Sequence, residues 1–183
     1  LHLELWERKE SSVSVKEELI KGVSSSKIPA NYINMLIDFD LFSQILPGLD
    51  VSRAFSSSKN IAVQLATILP NNNPAEVGRV LASKKFGNDI KNAVSFLLCL
   101  DDISESTIFG LKKECERIKR SSSVLINDQV ILEFGMAIGK DFSRFVEFAN
   151  SPPAVSAKDL INKGMKPGPD IGRAIRDAEV EAY

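Results

Sequence analysis

Residues 30–48 read ANYINMLIDFDLFSQILPG, and the spacing of apolar side chains in this stretch decides the fold class. Apolar residues recur there every three or four positions, namely Ile33, Leu36, Ile37, Leu41, Ile45 and Leu46. This spacing places them along one face of an α-helix. Pro47 and Gly48 end the pattern, because proline cannot continue a helix. The stretch predicts one helix over residues 30–46.

The same helical spacing recurs along the rest of the chain. Further helices are predicted near residues 3–10, 14–23, 59–69, 75–84, 88–100, 105–120, 127–138 and 140–149. No long segment alternates apolar and polar residues as a half-buried strand would. The sequence therefore predicts an all-α fold, and the irregular spacing of the helices favours an irregular bundle over a helical repeat.

Composition narrows the class of protein. Apolar residues make up 44% of the chain and charged residues 26%, so the chain can bury an ordinary core. The net charge of −1 does not favour a strongly basic nucleic-acid-binding protein, although it permits a local basic patch. No apolar run approaches the roughly 20 residues that a membrane span needs. Cys99 and Cys115 lie in helical patterns and are predicted to be buried thiols, and the three methionines are predicted to fill the core.

These features predict an intracellular protein of the cytoplasm, nucleus or mitochondrion, with no membrane partner. Pro152 and Pro153 interrupt the helical pattern and suggest a division into a helical body, residues 1–150, and a tail, residues 151–183. The chain begins and stops inside helical patterns, so we expect it to be a piece of a larger protein.

The tail predicts two short helices joined by a tight turn. Ser156 and Asp159 have the spacing of a capping box, in which each side chain accepts a hydrogen bond from the other residue's backbone N–H. Gly164 suits the left-handed position that closes a helix. Pro169, directly after Gly168, is a favourable first residue for the second helix. The tail is thus predicted to be a helix–turn–helix hairpin.

The N-terminus of the second helix is a candidate anion site, because free backbone amides and the helix dipole both attract negative charge. The candidate RNA-binding residues are Lys163, Lys166, Gly168, Gly172, Arg173 and Arg176. Gly172 costs a helix about 1 kcal/mol relative to alanine, which suggests that something approaches its backbone closely. Asp170 counts against phosphate binding, since it already complements the positive helix end. The alternative is that Gly172 lets two helices pack closely and the cations are merely solvated.

Residues 153–179, PAVSAKDLINKGMKPGPDIGRAIRDAE, resemble the C-terminal signature of the class II tRNA nucleotidyltransferases, or CCA-adding enzymes, which are related to bacterial-type poly(A) polymerases. The matching positions are Asp159, Leu160, Gly164, Pro167, Gly168, Pro169, Ile171, Gly172 and Ile175. Residues 33–50 are similar to a body helix of that family, and residues 3–10 to the Arg/Glu-rich helix that opens the body. Ala157 departs from the pattern, since the family often has glycine there.

The resemblance implies that the chain is the helical body and tail of an enzyme that adds CCA to tRNA 3′ ends, and that it binds the tRNA phosphate backbone. The parent enzyme would use Mg²⁺ with CTP and ATP in an N-terminal catalytic head. This chain has no G-S-x-x-D-x-D pattern for two-metal chemistry. The resemblance therefore predicts no catalytic residue, metal ligand or cofactor in this chain, no activity of the chain alone, and a separate head as a partner.

The sequence gives less support to other kinds of functional site. Asp38 and Asp40 form the only D-x-D, and we interpret them as acids on a helix surface and in a turn. A single histidine, His2, disfavours a histidine-based metal site. Phe142, Phe145 and Phe148 have helical spacing and are predicted to pack in the core rather than to stack on bases. Two alternatives for function stay open: the body of a poly(A) polymerase, or a helical protein–protein interaction domain without RNA binding.

Overall fold

The computed structural model describes residues 11–183, and this part of the chain contains α-helices and no β-strand. The prediction of an all-α bundle is therefore confirmed. The helices are α1 (Ser11–Ser25), α2 (Pro29–Asp38), α3 (Phe42–Ile45), α4 (Ile61–Ile68), α5 (Pro74–Ser83), α6 (Asn88–Cys99), α7 (Ile108–Ser122), α8 (Asp128–Ile138), α9 (Ser143–Asn150), α10 (Ala157–Asn162) and α11 (Pro169–Ala182).

The centre of the bundle is formed by α4 and α6. Nearly every residue of α4 is buried, as expected of a helix that is apolar on all sides. Helix α6 packs against α4, α5 and α7, while α8 packs against α4. The polar Gln64 of α4 is fully buried, and its amide donates to the carbonyl oxygens of Ser56 (2.9 Å) and Ser58 (2.7 Å). These bonds tie the irregular segment before α4 to the core.

The prediction of one helix over residues 30–46 is wrong, because α2 ends at Asp38 and α3 begins at Phe42. Asp40 adopts a left-handed conformation with φ of 54°, which aspartate tolerates better than most residues. The amide of Leu41 then donates to the carbonyl oxygen of Leu36 (2.9 Å), which closes α2. Phe42, the first residue of α3 after this break, lies in the core, where it is 2% exposed.

The remaining helix predictions between residues 14 and 149 are confirmed within a few residues, and the predicted helix over residues 3–10 lies outside the described residues, as does His2. Phe142, Phe145 and Phe148 are buried in the core, as predicted. Cys115 is buried, but the prediction for Cys99 is wrong, since this thiol is exposed. The prediction of core methionines is also wrong for two of the three, because Met35 and Met136 are exposed.

The tail begins after α9 and consists of α10 and α11, which pack on each other; α11 also packs on α7 of the predicted body. The predicted hairpin is therefore present. The division at residue 150 stays a prediction. Within residues 11–183, no helix combines the length and the apolar character needed to cross a bilayer.

Candidate nucleic-acid interface

Helix α10 starts with the predicted capping box. The amide of Asp159 donates to Ser156 Oγ (3.1 Å), and the amide of Ser156 donates to Asp159 Oδ2 (3.2 Å). These bonds satisfy backbone donors that a helix start would otherwise leave free. Hydrogen bonds from Ser156 also lower the pKa of Asp159, so this carboxylate stays ionised while it caps the helix.

The end of α10 also follows the prediction from sequence. Gly164 adopts the left-handed conformation with φ of 94°, and its amide donates to the carbonyl oxygen of Ile161 (2.9 Å). The next amide, of Met165, donates to the carbonyl oxygen of Leu160 (3.0 Å). This is the hydrogen-bonding pattern of a glycine-closed helix. It turns the chain sharply, so that Lys166 lies in the connection between the two helices.

Helix α11 begins at Pro169, and no side chain caps its N-terminus. Gly168 precedes it with φ of 163°, an extended conformation that does not by itself require glycine. A Cβ atom on Gly168 would meet no other atom within 4 Å. Neither backbone strain nor crowding by this chain therefore explains why residue 168 lacks a side chain.

Packing within this chain likewise does not explain the glycine at residue 172, one turn into α11. It is exposed, and a Cβ atom placed on it would meet no atom within 4 Å. The explanation that Gly172 allows two helices of this chain to pack closely is therefore wrong. Gly168 and Gly172 are four residues apart, so they lie on one face of the helix start and leave its backbone bare.

The four candidate cations flank this bare face in the chain and are all exposed: Lys163, Lys166, Arg173 and Arg176. Among the residues that the structure describes, only Arg173 has an acidic partner, Asp170, at 3.7 Å, and both members of that pair are exposed. Such a pair contributes little and is easily exchanged for another anion. The structure thus places all six candidate residues on one hairpin, with Lys163 and Lys166 before the turn and the arginines beyond it.

The order of charges along α11 is not the one that stabilises a helix. Cations are favourable in the last turn of a helix, yet the last turn of α11 has none. Arg173 and Arg176 are the fifth and eighth of its 14 residues, so Arg173 lies near the helix start and Arg176 about two turns along the helix. From residue 163 to residue 176 the chain carries four cations and one acid, Asp170. The net charge of −1 therefore conceals a local positive surface.

A buried ion pair fixes this surface to the body. Lys112 of α7 and Glu179 of α11 lie 2.7 Å apart, and Glu179 is 2% exposed. The other carboxylate oxygen of Glu179 accepts a hydrogen bond from the amide of Ala154 (3.0 Å), and Lys112 also donates to Ser151 Oγ (3.2 Å). The same two side chains therefore hold α11, α7 and the connection after α9 together. Sequence reasoning missed this pair, because its partners lie 67 residues apart.

The residues considered for metal chemistry do not converge. Asp38 pairs with Arg53, and Asp40 is an exposed residue in the left-handed turn after α2, as predicted for surface acids. Within the described part of the chain, no group of three or more His, Cys, Asp or Glu residues could hold a metal ion. The acidic residues that the structure describes therefore do not form a two-metal site of the kind that the resemblance implies for the catalytic head.

Comparison of the chain with models of protein families, with curated proteins and with solved structures finds no match.

Proposed function

We propose that the chain is the tRNA-binding body and tail of a nucleotidyltransferase of the CCA-adding type. The observation that carries this proposal is the hairpin, whose Gly168 and Gly172 expose backbone without any need of this chain's own packing. A bare helix start with exposed cations before and after it in the chain suits a phosphate group. Signature residues of the resemblance form this turn, so the sequence pattern and the geometry support the same site.

In this proposal the chain binds the tRNA and holds it in a fixed orientation. Contacts to phosphates fix the orientation of a nucleic acid but carry no base sequence, which suits a protein that must hold many different tRNAs. The Mg²⁺, CTP and ATP that the resemblance implies would be bound by a separate catalytic head. No step of nucleotide transfer is assigned to residues of this chain, and the chain alone is expected not to add nucleotides.

The first experiment is a tRNA-binding titration at about 50 mM and about 200 mM salt, because phosphate contacts weaken steeply over this range. We compare the wild-type chain with the double variant Lys166→Glu/Arg173→Glu. The matched control is Lys21→Glu/Lys27→Glu, which reverses two exposed charges on and just after α1. We expect salt-sensitive binding that the hairpin variant loses and the control keeps. Wild-type protein that does not bind tRNA would contradict the proposal.

The body of a poly(A) polymerase is the nearest alternative, since it shares the resemblance. Competition separates the two proposals: unlabelled tRNA should displace bound tRNA at a lower concentration than unstructured poly(A) does. The fold of tRNA places phosphates at fixed positions, which a rigid surface can match, whereas an unstructured strand must lose conformational freedom to do so. Equal competition would favour the polymerase.

A pair of exposed apolar side chains favours a second class of function, that of a protein–protein interaction domain. Phe55 and Met136 are 82% and 74% exposed, and they line the same cleft of about 720 Å³. Exposed apolar side chains that share a cleft are typical of protein-binding surfaces. This function predicts no salt-sensitive tRNA binding and no effect of the hairpin variant, so the titration above also decides between the two classes.

A further inference from the structure

Lys113 differs from every other charged residue of α7. Seven residues of this helix are charged, and six of them have a partner of opposite charge. The pairs are Lys112–Glu179, Glu114–Arg117, Glu116–Arg120 and Lys119–Asp128. Among the described residues, Lys113 has no such partner within 4.0 Å. The helix thus balances its other charges and leaves one exposed cation unbalanced.

The unpaired Lys113 lies near the same aromatic ring as Arg176, an unpaired cation of α11. Its Nζ lies 4.3 Å from the centre of the Phe109 ring, and Cζ of Arg176 lies 5.9 Å from the same centre. The two cations are therefore at most about 10 Å apart. An aromatic ring attracts a cation through its face and leaves the N–H donors unused. Within residues 11–183 neither cation makes a hydrogen bond to the protein, so both can donate to an anion.

The surface beside Phe109 is open on one side and acidic on the other. Gly110 is exposed, and a Cβ atom on it would meet no atom within 4 Å. Beyond Gly110 lies a cleft of about 790 Å³ whose lining includes Asp101, Asp102 and Glu114. Asp101 pairs with Lys140 and Glu114 pairs with Arg117, so among the described residues only Asp102 of these three acids has no cation within 4.0 Å. Its charge disfavours a polyanion on the cleft side of Phe109.

We propose that Lys113 and Arg176, which both lie within 6 Å of the centre of the Phe109 ring, form a second phosphate-binding position that continues the RNA path from the hairpin onto α7. The ligand is the phosphodiester backbone of the bound tRNA, and the inference rests on the function proposed above. Arg176 belongs to both positions and joins them. Phe109 is a positioning residue, because its ring keeps the two cations within reach of one backbone.

The test measures tRNA binding by the full chain at four or more salt concentrations. Lys113→Gln keeps the length of the side chain and removes its charge, so the slope of log K against log salt should become shallower by about 1, the value for one lost phosphate contact. Lys113→Arg should restore the slope. The matched control is Lys21→Gln on α1, which should leave the slope unchanged. Phe109→Leu should weaken binding several-fold while the helical content stays that of the wild type.

The outcomes separate this inference from the function on which it rests. If Lys113→Gln keeps the wild-type slope while Lys166→Glu/Arg173→Glu loses binding, the position on α7 is overturned and the hairpin stands. If Lys21→Gln flattens the slope as much as Lys113→Gln does, the contribution of Lys113 is non-specific and the inference is again overturned. If wild-type protein does not bind tRNA at all, both proposals fail.

Discussion

Lys112 Nζ lies 2.7 Å from Glu179 Oε2 in a buried contact that joins α7 to α11. The side chains of Lys112 and Glu179 are 13% and 3% exposed, so removal of either partner leaves a largely buried charge without its counter-ion. An unpaired buried charge is far more costly than an unpaired exposed one. This contact therefore contributes to holding the hairpin, and with it the proposed RNA surface, against α7.

Glu179→Ala should lower the free energy of unfolding by about 3 kcal/mol, because Lys112 and the amide of Ala154 both lose their acceptor. Urea denaturation followed by circular dichroism measures the change. Arg120→Ala is the matched control, since its pair with Glu116 is exposed and should contribute less than about 1 kcal/mol. Equal losses in the two variants would contradict the assignment of Glu179 as the anchor of the tail.

Gly172→Ala should have opposite effects on stability and on binding. The free energy of unfolding should rise by up to about 1 kcal/mol, because alanine favours the helix and its methyl group meets no atom of this chain within 4 Å. Under the proposed function, tRNA affinity should fall, because the methyl group covers backbone that a phosphate would approach. Denaturation and tRNA titration of the same preparation provide the measurement. A stabilised variant with undiminished affinity would remove Gly172 from the RNA surface.

Gly135→Ala should destabilise the protein for a steric reason. A Cβ atom at residue 135 would lie 2.5 Å from the carbonyl oxygen of Lys140 and 3.0 Å from Cδ2 of Phe142. The backbone after α8 must then move, at a cost of about 1–3 kcal/mol. Gly110→Ala is the control, because residue 110 is also helical but has no neighbour within 4 Å. Thermal unfolding should shift down for the first variant and not for the second.

The two thiols should differ in their reaction with iodoacetamide. Burial raises the pKa of Cys115 to about 11, so at pH 8 only about one thiol in a thousand is ionised, and the side chain is also inaccessible. Cys99 is exposed, although burial of its sulfur and the charges of Glu114 and Asp102 raise its pKa as well. Mass spectrometry of the native protein should show slow alkylation of Cys99 alone. Alkylation of Cys115 should require denaturant, and its modification under native conditions would contradict the burial.

The stability of the first turn of α10 should depend on pH through the carboxyl group of Asp159. Hydrogen bonds from Ser156 lower the pKa of this carboxyl below its ordinary value of 3.8. A carboxyl whose pKa is lowered by folding stabilises the folded form above its unfolded pKa, and this contribution is lost as the pH falls through the folded pKa. Amide exchange at Ser156 and Asp159 should therefore become less protected only in strong acid. In Ser156→Ala, carbon NMR of the Asp159 carboxyl should show a pKa closer to the ordinary value, and an unchanged pKa would contradict the cap.

The sequence alone determined the features that depend on a few neighbouring residues. The capping box at Ser156, the closure at Gly164 and the helix start at Pro169 follow from backbone geometry and local hydrogen bonds, so they could be predicted. The all-α class followed in the same way from periodic apolar spacing. The six candidate RNA-binding residues lie on one hairpin because they are close in the chain.

Only the tertiary structure decided the features that join distant parts of the chain. The break at Asp40 accompanies the burial of Phe42, the first residue of α3, and apolar periodicity within residues 30–46 does not reveal it. The pairing of Lys112 with Glu179, and the approach of Lys113 and Arg176 to one aromatic ring, depend on how α7 and α11 pack. A local pattern records which face of a helix is apolar. Which helices pack against each other depends on the whole core, and this packing determines which charges are paired and which remain free.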